Sequence, residues 1–230
     1  MMDKLTEPNR RSPEDDRDRI PVVKEGYPFI FFVAFFTLVM AILHVTVAAI
    51  GGLGLTALVL YFFRDPQRIV PADPQLVVAP ADGFVVEIAE SSYPEIEDTS
   101  LPCRKIGIFM TIFDVHVNRT PCSGNIVRVS HRPGKFISAQ KPSASMQNER
   151  NTVVLETPRG DKVVLVQVAG LIARRIVFWF REGDTVQKGE RIGMIRFGSR
   201  VDLYVPIEWN IKVSRGQRVK AGETVICTMM

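Results

Sequence analysis

The chain has 230 residues, 46% of them hydrophobic, with 29 Lys and Arg against 25 Asp and Glu and a net charge of +4. That length and apolar content suit one domain with a sizeable core plus additional segments. The modest basic excess suits an anionic lipid surface or anionic substrate; nucleic acid is not expected, because the basic residues are spread along the chain and Tyr and Trp are few. Cys103, Cys122 and Cys227 form no Cys-x-x-Cys pair and leave an odd count. They are expected to be small buried residues in a reducing compartment, not a disulfide framework or a metal site.

Residues 1–25 are polar and charged, with Arg10-Arg11 and Glu14-Asp15-Asp16-Arg17, and read as a mobile polar tail. The apolar run begins too late for a secretory signal, and no small-residue cleavage pattern follows it. From Tyr27 to Phe63 no Asp, Glu, Lys or Arg occurs. That is too long for one span, which needs about 20 residues. Gly51-Gly52-Leu53-Gly54 lies within it, so residues 26–64 are expected to form a membrane-associated helical hairpin, with helices over about 28–46 and 48–63. His44 would face the partner helix or the headgroup region. Arg17, Arg19 and Lys24 precede the run and Arg64 and Arg68 follow it, which predicts that both flanks stay cytoplasmic.

Residues 65–230 read as a mainly β domain. Short apolar runs recur at 76–78, 84–88, 106–112, 126–129, 152–155, 163–168, 176–178, 191–195, 203–205, 208–213 and 224–227, punctuated by Gly, Pro, Asp and Ser. Residues 143–150 are polar and read as a loop or short helical turn. Two internal echoes stand out. Pro80-Ala81-Asp82-Gly83-Phe84-Val85-Val86 echoes Pro121-Cys122-Ser123-Gly124-Asn125-Ile126-Val127, and the pattern Gly-x-x-Val-x-x-Gly-Glu occurs at 183–190 and again at 216–223. The second pattern resembles the turn of biotinyl and lipoyl carrier domains. Together they predict a barrel-sandwich hybrid of short strands with quasi-twofold halves.

Gly198-Ser199 is the chain's only Gly-Ser dipeptide. A serine hydroxyl can attack the carbonyl of the preceding residue, and glycine leaves that carbonyl open. If a base then removes the serine Cα proton, the ester eliminates and the new N-terminus becomes a pyruvoyl group. Serine needs a base, and histidine is the usual one. The β domain offers only His116 and His131. His116 lies in the β-like run 113–117; with Phe113, Val115 and Val117 on the apolar side, Asp114, His116 and Asn118 would share the other. His131 precedes Arg132-Pro133-Gly134, a turn signal that sets it at a loop.

Seven segments, in order, resemble the phosphatidylserine decarboxylase family in its short form: Phe62-Phe63-Arg64-Asp65-Pro66, Pro80-Ala81-Asp82-Gly83, Phe113-Asp114-Val115-His116-Val117-Asn118-Arg119, Pro133-Gly134-Lys135-Phe136, Asn148-Glu149-Arg150, Gly170-Leu171-Ile172-Ala173-Arg174-Arg175 and Phe197-Gly198-Ser199-Arg200-Val201-Asp202. The resemblance implies self-cleavage between Gly198 and Ser199 into a large and a small subunit from one precursor. It implies a covalent pyruvoyl cofactor made from Ser199, a Schiff base with phosphatidylserine, and carbon dioxide loss to phosphatidylethanolamine. It carries the charge-relay aspartate onto Asp82, with Asp114 and Asp202 as competitors, and the base onto His116. Some members have a second histidine where this chain has Arg119, so His116 would serve both steps or Arg119 would take an electrostatic part. His131, Arg132, Lys135 and Arg174 are candidates for the substrate headgroup or anionic lipid, and no metal is implied. The implied partners are membrane phosphatidylserine and the two subunits, with homo-oligomers compatible and no nucleic acid; the implied location is the cell membrane with the catalytic domain on the cytoplasmic side. A carrier module is disfavoured because no lysine sits at a Met-Lys-Met or Asp-Lys-Ala tip. A non-enzymatic membrane adaptor with a lipoyl-like β domain would explain the hairpin and glycine repeats but not Gly198-Ser199, Pro80-Ala81-Asp82-Gly83 and His116 together.

Overall fold

The computed structural model describes residues 21–94, 102–138, 144–170, 175–196 and 199–230. The chain divides into two compact units, residues 1–66 and 67–230. In the first, α1 (Tyr27–Ile42) and α2 (Thr46–Phe62) form a hairpin. The turn falls earlier than expected, because His44 takes φ 57, in the left-handed region that ends a right-handed helix. The helices meet at small residues: the Thr37 and Thr56 hydroxyls lie 3.3 Å apart, and a Cβ on Gly52 would come within 2.5 Å of Thr37 Oγ1. The outer faces are apolar and exposed, as at Phe31, Phe32 and Val47. Residues Lys24–Ile42 are long and apolar enough to cross a membrane; α2 has 17 residues. At 1.5 Å per residue α2 reaches about 25 Å, against a hydrocarbon core of about 30 Å. The hairpin ends are tied: Val23 N–H donates to the Phe63 carbonyl (3.0 Å) and Asp65 N–H to that of Pro21 (2.8 Å).

The second unit is mainly β. Its strands are β1 (Leu76–Val78), β2 (Gly83–Ser92), β3 (Pro102–Met110), β4 (Val117–Arg119), β5 (Gly124–Arg132), β6 (Arg150–Glu156), β7 (Lys162–Val168), β8 (Ile176–Phe178), β9 (Thr185–Val186), β10 (Arg191–Ile195), β11 (Ser199–Pro206), β12 (Asn210–Ile211), β13 (Arg218–Val219) and β14 (Val225–Thr228), with one helical turn, α3 (Ala144–Gln147). They form a long antiparallel sheet, β13-β2-β3-β11-β7-β6-β5-β9, and two small ones, β1-β14-β12 and β4-β10-β8. The main core packs Val85, Ile106, Ile126, Leu165, Ile195 and Leu203 with their neighbours. Cys103, Cys122 and Cys227 are buried and unbridged, and burial pushes the Cys122 thiol up to about 12.

The long sheet reads the same from either edge when β13, β2, β3 and β11 are matched with β9, β5, β6 and β7, and the small sheets match likewise. The hydrogen bonds repeat as well. Gly183 N–H donates to the Ile126 carbonyl and Gly216 N–H to that of Val85, both at 2.7 Å. Gly183, Gly189, Gly216 and Gly222 all have positive φ, which accounts for the repeated glycines of the two turns. Bulges interrupt β2 between Val85 and Glu87 and β5 between Ile126 and Arg128. One half is continuous, residues 117–195. It is inserted into the other, residues 76–110 and 199–228, between β3 and β11. Within the continuous half, β6 returns directly as β7 through residues 157–161, where Thr157 N–H donates to the Asp161 carbonyl (2.9 Å). In the other half, β3 and β11 are paired but not joined: residues 111–116 lead out and residues 196–198 lead back.

Candidate active site

Strand β11 is buried from Ser199 to Val205. Its alternation sends Val201, Leu203 and Val205 into the main core and, by the same parity, Ser199. Arg200, Asp202 and Tyr204 face the other side. Ser199 opens the strand opposite Met110, the last residue of β3. Its hydroxyl lies 3.9 Å from the Met110 sulfur, and Asn118 Nδ2 lies 3.8 Å from the same sulfur. Gln167 Nε2 donates to Asn118 Oδ1 (2.9 Å), and Asn151 Nδ2 donates to Gln167 Oε1 (3.2 Å). Ser199, Asn118, Gln167 and Asn151 are buried, so these neutral amides satisfy one another where water does not reach. Gln167 and Asn151 were missed by sequence reasoning. The signal available was a polar residue at an inward position of an otherwise apolar strand.

His116 is fully buried. Its Nδ1 donates to the Asp114 carbonyl (2.9 Å), and its own carbonyl accepts from Ile195 N–H (3.4 Å), at the end of β10. The way out of β3 is therefore tied at His116 to the end of β10. The expected alternation over 113–117 does not hold. Asp114, Val115, His116 and Val117 are all buried, and Phe113 is exposed. The cause is local: the Asp114 carboxylate accepts from Thr111 N–H (2.8 Å) and Thr111 Oγ1 (2.7 Å), closing a turn in place of a strand.

Asp82 is also buried, and its carboxylate accepts from Arg68 Nη2 (2.8 and 3.0 Å) and from Ala221 N–H (2.8 Å). Among the described residues, the hydrogen bonds of Asp82 and His116 run to separate partners. In the matching half, Ser123 Oγ accepts from Lys188 N–H (2.9 Å), so Asp82 and Ser123 hold equivalent turns by equivalent bonds. Arg119 donates to the Gly189 carbonyl (2.8 Å), and its side chain lies 3.0 Å from where a Cβ on Gly222 would be, so it touches both glycine turns. His131 is half exposed, with Nε2 3.8 Å from Glu149 Oε1. Arg132 and Lys135 are exposed. Arg132 lies in one cross-strand row with Arg150, Val168 and Arg200, three strands from β11, or about 14 Å at the usual strand spacing. Arg174 and Gly198 lie outside the described residues.

The other face of β11 carries charge. Arg200 is fully buried; Nε donates to Asp202 Oδ1 (2.5 Å) and Nη2 to Glu87 Oε2. Lys105 Nζ lies 3.2 Å from Glu87 Oε2 and 3.4 Å from Asp202 Oδ2. Burial alone would raise the Glu87 carboxyl, but the Arg200 hydrogen bond and the charges of Lys105 and Arg200 outweigh it and hold it below its ordinary value. Gly107 makes the room: a Cβ there would lie 2.3 Å from Arg200 Nη2. An open cleft of about 460 Å³ runs along this charged face, lined by Phe84, Val86, Glu87, Arg200 and Arg215, and is not the surroundings of the Ser199 hydroxyl.

A buried serine at a strand start beside uncharged amides, and a buried histidine tied to the end of β10, offer groups suited to acyl chemistry within the chain. The comparisons with known proteins identify the family. The family described as Phosphatidylserine decarboxylase matches residues 55–227. A protein of Desulfotalea psychrophila named Phosphatidylserine decarboxylase proenzyme is 48% identical over 209 residues, covering 90% of this chain and 96% of that relative. Proteins of the same name from Geotalea uraniireducens and Syntrophus aciditrophicus are each 47% identical, covering 90% of this chain and 95% and 97% of theirs. With three-quarters of its length inside the family's pattern, and Ser199, His116 and Asp82 all within that stretch, the chain belongs to the phosphatidylserine decarboxylase family.

Proposed function

We propose that this chain is a self-processing decarboxylase that converts phosphatidylserine to phosphatidylethanolamine with a pyruvoyl group made from Ser199. The observation that carries the reading is the buried Ser199 hydroxyl at the first residue of β11, reached through the segment tied to His116, in a chain whose relatives are named proenzymes. Ser199 Oγ adds to the Gly198 carbonyl carbon; the C–N bond breaks, leaving an ester and a free amino group on residue 199. Loss of the Cα proton expels Gly198 as a carboxylate. The remaining unsaturated amine takes up water and releases ammonia, which leaves the pyruvoyl group on a small subunit of residues 199–230.

His116 is the proposed base. The Asp114 carbonyl can only accept, so Nδ1 carries the proton and Nε2 presents a lone pair. That carbonyl, instead of the Asp82 carboxylate, holds the tautomer, and Asp82 acts on the site through the turn it fixes at Ala221. The Met110 thioether and the amides of Asn118 and Gln167 suit a ketone, which needs polar surroundings without competing charge. Once formed, the pyruvoyl group supplies the electron sink for carbon dioxide loss, and His116 returns one proton to the product carbon. His131, Arg132, Lys135 and Arg174 serve the lipid headgroup. The hairpin of residues 26–64 anchors the chain to the cell membrane with both flanks, and the catalytic domain of residues 65–230, on the cytoplasmic side.

Mass spectrometry of the purified protein tests this. Two fragments held without a covalent link are expected, the smaller one blocked at its N-terminus. Ser199→Ala should remain one chain of 25.8 kDa without decarboxylase activity. Splitting of Ser199→Ala at the same bond overturns the reading, and an unaltered chain that stays whole and inactive favours the adaptor.

A further inference from the structure

We propose that the turn at residues 111–114, together with Phe84, Arg215 and Arg218, is a membrane-docking surface of the β unit that sets its site against an anionic bilayer. Ile112 and Phe113 are 41% and 58% exposed, two adjacent large apolar residues at the tip of a loop, where polar residues are the rule. The tip is stiff. Asp114 accepts both Thr111 donors and also Arg218 Nη2 at 3.0 Å, so the backbone beneath Phe113 is fixed. Arg218 also lies over the Phe84 ring, 5.5 Å from its centroid, which joins the tip to a second exposed aromatic on β2. Arg215, on the neighbouring turn, is exposed as well.

Exposed apolar side chains with arginines on the adjoining turns match a bilayer interface carrying negative lipid: the rings enter the acyl boundary and the guanidinium groups meet the phosphates. Asp114 offsets one of these charges from below, leaving Arg215 to supply the excess. The same loop carries Phe113 and, three residues later, His116. Seating it in the lipid brings the bilayer against the segment that carries His116. The inference rests on the proposed function in one respect, that the substrate is a lipid of that bilayer.

Two measurements on the full chain test it. Phe113→Trp, in the Ser199→Ala background, is reconstituted in vesicles of phosphatidylcholine and phosphatidylglycerol with brominated acyl chains. Its emission should be quenched beyond the background of Trp179 and Trp209, and less so when Arg215→Gln is added. Emission insensitive to bromine overturns the surface; if it depends instead on protein concentration, a second copy of the chain covers the patch. The double variant Ile112→Ser, Phe113→Ser should lose about tenfold or more in rate on vesicle phosphatidylserine, the scale of burying two apolar side chains. Its rate on a short-chain phosphatidylserine dispersed as monomers should stay within about twofold, since that substrate needs no bilayer contact. Equal loss on both substrates overturns the proposal. If the unaltered chain decarboxylates neither, the function reading fails instead, and the quenching measurement still decides the surface.

Discussion

In the continuous half of the β unit, β6 turns straight back into β7; in the interrupted half, β3 reaches the same point and does not. Much else about the halves matches: the bulges, the glycine turns, and the side chains at Asp82 and Ser123 that receive an amide from the facing turn. The residues proposed for the chemistry, Ser199 and His116, flank the place where the match fails. The opened hairpin lets β3 run out through residues 111–116 to His116, while Ser199 opens β11 opposite Met110, the last residue of β3.

The comparison is broken most directly at the linkers. In His116→Ala the fraction cleaved over time, followed by gel, should fall about 10²–10⁴-fold, the usual contribution of a positioned base. His131→Ala should mature at a normal rate, since its side chain is half exposed on β5. Normal cleavage in His116→Ala would move the base role to another group.

The next effect is on stability. Arg200→Met removes the guanidinium from Glu87 and Asp202, and stranding buried carboxylates costs about 3–5 kcal/mol. Denaturant unfolding in the Ser199→Ala background, where the precursor stays whole, would measure it. The pH dependence should change in step. With Glu87 held below its ordinary value, the folded state binds fewer protons than the unfolded state between the two values. Its stabilisation is complete above the unfolded value and is lost as pH falls through the folded one. Without Arg200 that acid-induced loss should shrink; an unchanged pH profile would show that Lys105 alone holds the carboxylate.

The smallest effect sharpens the likeness between the halves. Asp82→Ser installs the residue that does the same work at position 123. It keeps an acceptor for Ala221 N–H but leaves Arg68 to the more distant Glu223 carboxylate (3.9 Å), for about 1–3 kcal/mol. Maturation should stay within about threefold of normal. A loss on the His116 scale would return Asp82 to the relay.

Much of this architecture was legible in the residues. The echo of 183–190 in 216–223 announced the twofold turns, because positive φ at four positions demands glycine in both copies. Most apolar runs became strands. The turn at 111–114 was not legible: its alternation looks extended, and only the Asp114 carboxylate closing on Thr111 shows why Phe113 points outward. The charged face of β11 was hidden for a similar reason. Asp202 stands in the sequence only as a competitor for the relay aspartate and Arg200 only as part of a family segment; their partners, Glu87, Lys105 and the vacant side of Gly107, come from β2 and β3. Pairing Ser199 with Met110, 89 residues apart, depends on an insertion that no local pattern reports.

That β11 lies between β3 and β7 has a consequence for the history of the molecule. Cut at 198–199, the smaller piece would still hold a central strand of the long sheet, an edge strand and two strands of a small sheet, woven among partners from the larger piece. The precursor can fold by a first-order process, as one chain. The processed enzyme, once denatured, could return only by the meeting of two chains, at a rate that rises with concentration and with no covalent tether to restore the register. Maturation would then be a one-way step in folding as well as in chemistry.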